Sequence, residues 1–221
     1  MTLPAYRRDY SGEFLVTETR WVSGTKQQKR EWIPNSIENH HISGRAAIIL
    51  SDFDRSRFDY TRLQRHRGGL LGKKRLQTYG CGLIWQHLVL DFWVGKERSD
   101  VDGIIAQRYD ERSTVYTTPS IVLTYPGRLY LIPQAPHMDS QATAVYLAAF
   151  DGHQEIFLLG AHQELDWVST ATMASIRSVM LAYDTVQFVL IGTESCMPSQ
   201  WRELRNVTCM DYRSWISYCD V

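Results

Sequence analysis

A histidine next to a carboxylate, just past an apolar run, is what general acid–base chemistry needs, and the chain offers the pairing twice. The segment Gly160-Ala161-His162-Gln163-Glu164-Leu165-Asp166 follows the apolar run Ile156 to Leu159. There His162 would exchange a proton near neutral pH, and Asp166 is close enough in sequence to orient the ring. His137 and Asp139, ahead of the alanine-rich stretch beginning at Gln141, form a second pair. The chain carries seven histidines, and a loop histidine is also ordinary polar surface. His162 with Asp166 is therefore the first catalytic candidate, weighed against that plainer reading.

Phosphate chemistry makes a different demand, because backbone amides approach a phosphate closely only where side chains are absent. The apolar run Ala46 to Leu50 leads into Ser51-Asp52-Phe53-Asp54-Arg55-Ser56, which contains no glycine. Phe53 and the long polar side chains would fill the space a phosphate needs. The aspartates could bind a cation, but beside Arg55 and Arg57 they read more simply as a solvated turn with ion pairs. The basic run Arg62, Arg65, His66, Arg67, Lys73, Lys74 and Arg75 surrounds Gly68-Gly69. It could meet an anion, but it has no interleaved aromatics, which argues against nucleic acid. No Walker loop, dinucleotide fingerprint, nucleophile elbow or zincin motif is present. Neither a cofactor nor a metal is expected.

The elements that would position these residues are short apolar runs separated by helical stretches, the pattern of a parallel sheet covered on both faces. The expected strands are 46–50, 90–94, 114–117, 129–132, 155–159 and 186–191. Helices are expected from Gln141 to Phe150, with Ser140 as N-cap and Gly152 ending it, and from Ala171 to Tyr183, with Met173, Ile176, Val179, Met180 and Tyr183 on one face. The tail from Val207 to Tyr218 should add an edge strand and a closing helix. Residues 1–44 differ: Glu13 to Val22 alternates, Ser23-Gly24 signals a turn and Lys29 to Ile33 can return, so an N-terminal hairpin arm precedes a Rossmann-like domain over 45–221. In a doubly wound sheet, ligands bind beyond the carboxyl ends of the strands. The loops after 46–50 and 155–159 lie there.

Composition bounds the partners. Of 221 residues, 24 are Lys or Arg and 24 are Asp or Glu, so no net field draws the chain toward nucleic acid or an anionic membrane. The four cysteines form no CxxC pair, which points to reduced thiols and synthesis in a reducing cytoplasm. No signal peptide and no membrane span is expected.

Three segments together resemble a known family. Ser140-Gln-Ala-Thr-Ala-Val-Tyr-Leu-Ala-Ala-Phe-Asp-Gly-His-Gln-Glu-Ile-Phe-Leu-Leu-Gly160 resembles the helix-then-strand segment of small bacterial sialyltransferases and related phage and bacterial proteins. Phe58-Asp59-Tyr60-Thr61-Arg62-Leu63 is similar to their post-loop helix. Tyr79-Gly80-Cys81-Gly82 with Asp91-Phe92-Trp93-Val94 is similar to their second helix and third strand. The resemblance implies a nucleotide-binding Rossmann-like domain that transfers a sugar from a cytidine-monophosphate donor. It places nucleotide contacts at Ser51, Asp52, Arg55, Gly82 and Ser140.

The sequence departs from the family at those same places. The family's Gly-Asn-Gly turn is Ser51-Asp52-Phe53, its Cys-Asn pair is Cys81-Gly82, its Ser-Gly pair is Ser140-Gln141, and its Gly-x-Asp is Gly160-Ala161-His162. The expectation is thus a catalytically degenerate member of the fold, with Phe53 and Gln141 projecting into the crevice. Such a protein would be reused as a structural or interaction component, incorporated into a bacteriophage virion or its assembly and engaging protein partners or further copies of itself through the arm. The alternative is an active nucleotide-sugar-dependent glycosyltransferase with His162 as base.

Overall fold

The apolar runs pair side by side, all in one direction. The computed structural model describes residues 13–34, 44–50, 63, 76–133, 137–160 and 168–219, and for 13–22 and 26–34 the backbone alone. Eight strands form the main sheet: β3 (Arg45–Ile49), β4 (Leu76–Cys81), β5 (Phe92–Val94), β6 (Thr114–Thr117), β7 (Tyr130–Leu131), β8 (Glu155–Leu159), β9 (Gln187–Ile191) and β10 (Val207–Met210). Their order is β10-β9-β8-β3-β4-β5-β6-β7 and every pairing is parallel. The chain steps outward from β3 to β7, returns to place β8 beside β3, and steps outward again to β10. The winding therefore reverses between β3 and β8. The doubly wound expectation holds, and the sheet is wholly rather than mainly parallel.

Alternation along the strands feeds two cores. One face carries Ile48, Tyr79, Phe92, Val94 and Tyr116 under helices α3 (Ser140–Phe150) and α4 (Thr170–Ala182). The other carries Ile49, Trp93 and Val115 against α1 (Arg98–Ala106) and α5 (Tyr212–Cys219), with α2 (Pro119–Val122) nearby in the same core. Residues Ala142 to Phe150 of α3 are all buried. A helix apolar all round suits a site packed on every side, and its alanines let it lie close to β3, β4 and β5. Gly152, at φ 95°, ends the segment where a side chain would be strained.

The fold corrects two local expectations. Asp139, not Ser140, is the N-cap of α3: its backbone is extended and its carboxylate accepts the Ala142 N–H. Tyr79-Gly80-Cys81 closes strand β4 instead of belonging to a helix, and a short 3-10 turn, Gly82–Gln86, follows it. Gly80 is required there, since a Cβ would stand 2.6 Å from Leu90 Cδ1 and 3.3 Å from the Ile49 carbonyl oxygen.

The N-terminal strands β1 (Glu13–Val22) and β2 (Thr25–Pro34) pair antiparallel as a sheet of their own. Ser23 and Gly24, at φ 51° and 77°, make the two-residue turn. Positive φ at both central positions is the twist a tight hairpin needs. Among the described residues, no helix is long and apolar enough to cross a membrane.

Candidate functional site

The reversal between β3 and β8 opens the crevice where a doubly wound sheet binds its ligand. Leu50 follows β3, and its N–H donates to the Leu159 carbonyl at 2.9 Å, so the two strand ends are held together. The free carbonyl of Leu50 faces α3. Gln141, second residue of that helix, donates to it from Nε2 at 2.6 Å. The half-buried amide thus links the helix start to the end of β3.

The first turn of α3 has its own carboxylate. Asp139 Oδ1 accepts the Ala142 N–H at 2.8 Å, and Thr143 Oγ1 donates to the Asp139 carbonyl at 2.6 Å. The other carboxylate oxygen accepts from Thr172 Oγ1 at 2.5 Å, and Thr172 lies in the first turn of α4, capped by Ser169. One carboxylate therefore joins two helix starts, where N–H groups and the helix dipole favour negative charge. An incoming phosphate would compete with Asp139 for that position.

Lys96 approaches from the end of β5, beyond Gly95, and donates from Nζ to the Met138 carbonyl. Half-burial pushes its ammonium pKa down, while the negative charge of Asp139 works against the shift. Gly82, at the end of β4, has φ 61° and a backbone carbonyl that accepts from the buried Trp93 indole at 3.0 Å. Its conformation explains the glycine without a ligand.

Of the residues expected to act, Gly82 and Ser140 are therefore placed, one in a turn and the other at the start of α3. Ser51, Asp52, Arg55, His162 and Asp166 lie outside the described residues, as do Phe53 and the basic run. His137 is exposed, and the carboxylate oxygens of its partner in sequence, Asp139, serve α3 and α4. Lys96 was not anticipated, although a lysine two residues beyond a buried strand end is a readable signal. Among the described residues, no group of three or more His, Cys, Asp or Glu side chains is placed to hold a metal ion.

Sheet order and crevice together define a doubly wound, Rossmann-like α/β protein. No family model and no curated protein matches the chain. Among solved structures it is similar to the sialyltransferase CstII from Campylobacter jejuni, in complex with a substrate analogue, cytidine-5'-monophosphate. That likeness has a TM-score of 0.41 at 10% identity and covers 74% of this chain and 84% of the other. It is a distant likeness of fold and assigns no activity here.

Proposed function

We propose that this glycosyltransferase-like α/β protein serves as a binding or structural component and does not transfer sugar. The observation that carries the reading is the Gln141 amide bonded to the Leu50 carbonyl across the end of β3. A transferase needs donors left open for the charge of its nucleotide. Here the first turn of α3 is occupied by Asp139, a negative group, and the neighbouring strand end by Gln141. The hairpin β1–β2, separate from the main sheet, is the proposed contact for a protein partner or a second copy.

Lys96 favours the second reading, an active transferase with a remodelled site. A half-buried ammonium beside a helix start can stabilise a departing phosphate, with His162 as base. Calorimetric titration with cytidine monophosphate separates the two. The non-catalytic reading expects no binding tighter than about 1 mM by the wild-type chain, and it allows binding to appear in Gln141→Gly, which opens the end of β3. Binding by the wild type that Gln141→Gly leaves unchanged would contradict it.

A further inference from the structure

A second cleft opens at the opposite, amino-terminal edge of the sheet, and we propose that it binds a neutral polyhydroxylated ligand, a saccharide. It encloses about 360 Å³, within the range of small-molecule sites. Its floor follows from register. Tyr79 pairs with Phe92, Phe92 with Thr114, and Tyr116 with Tyr130. Two-residue alternation therefore puts Gln77, Phe92, Thr114 and Tyr130 on one face of four adjacent strands.

Gln77 is the group that calls for a ligand. It lines the cleft at 4% exposure, and its Oε1 has no hydrogen-bond partner among the described residues. A buried amide oxygen without a partner is costly, and folded proteins rarely keep one without a use. Rotation about the broad terminal torsion can present either end of the amide to the cleft, so it can accept from or donate to a hydroxyl.

The rim indicates the ligand's charge. Arg128 grips Asp110 through two bonds of 2.7 Å, and Asp91 Oδ2 accepts from both the N–H and the hydroxyl of Thr78 at 2.9 Å. Glu111 and Arg112 line the cleft too, so three carboxylates stand beside two guanidiniums, and this near balance offers polar direction without a strong field for an ion. Tyr130, 36% exposed at one side, adds a ring face. A sugar supplies hydroxyls for the amide and a C–H face for the ring. The inference does not rest on the reading of the crevice at the other edge.

Saturation-transfer NMR with methyl glycosides of glucose, galactose and N-acetylglucosamine tests it, with cytidine as a control. At least one glycoside should bind, and Gln77→Leu should weaken it by about tenfold or more while leaving the melting temperature equal or higher, because an unpartnered amide has been removed. Tyr130→Ala should weaken binding as well, and it gives an independent reading if the Gln77 variant folds poorly. Absence of transfer from every glycoside would overturn the proposal, as would binding insensitive to both substitutions or binding by cytidine alone.

Discussion

Tyr79, Asp151 and His153 are fully buried together: the tyrosine hydroxyl donates to Asp151 Oδ2 at 2.6 Å and lies 3.0 Å from His153 Nε2. Burial first, then the Asp151 charge, raises the Tyr79 pKa well above 10.0. The folded state therefore keeps a proton that the unfolded chain releases above that pH. Its contribution to stability is fully present below pH 10.0 and is lost as pH rises. Lys96 has the opposite sign: its pKa is lowered from 10.5, so in the window just below that value the unfolded chain holds more proton and stability gains as pH rises. Tyr79→Phe should cost about 1–3 kcal/mol at neutral pH by leaving its partners without the hydroxyl. It should also flatten the alkaline fall by about 1.4 kcal/mol per pH unit, the value of one proton. Urea unfolding from pH 7 to 11 measures both effects, and an unchanged alkaline slope would refute the assignment.

At the scale of elements, two helix starts depend on one exposed carboxylate. Asp139→Ala should cost about 1–2 kcal/mol, as loss of a helix cap does, although exposure alone would suggest a neutral change. Ser140→Ala, next to it, should be near neutral, and equal costs for the two in thermal unfolding would restore Ser140 as the cap. Deeper in α3, Ala144→Leu should lose about 1–3 kcal/mol, because the helix has no room against the strands it covers. The same elements show what sequence reading can reach. Strands β6 and β8 were expected with their observed limits, because continuous apolar or β-branched runs between turns leave little choice. Strand β4 was missed because Leu76-Gln-Thr-Tyr-Gly-Cys81 sets polar Gln77 and Thr78 and a glycine inside a strand. Thr78 is buried through a partner distant in sequence, Asp91, while Gln77 lines a cleft built from four strands, and no local pattern shows either. Ser140 and Asp139 are both good caps, and only the extended backbone at Asp139 decides between them.

For the whole molecule, the parallel order was legible because each apolar run is followed by a segment able to cross back. The crevice was legible as a location, since it follows from where the strand order reverses. Its chemistry was less so, because Lys96 and Thr172 reach the site only once β5 and α4 are folded beside α3. The hairpin belongs to this scale too. Removing residues 1–44 should leave the eight-stranded domain folded by circular dichroism and change the oligomeric state in light scattering; an unchanged state would refute its role in assembly. The central proposal, that the crevice does not serve a nucleotide, meets its most direct test in thermal unfolding with millimolar cytidine nucleotides. A ligand held only by the folded state at a hundredfold excess over its dissociation constant adds about 2.7 kcal/mol of stability. The account predicts no shift; a clear shift abolished by His162→Ala, or by Arg55→Ala with Arg57→Ala, would contradict it.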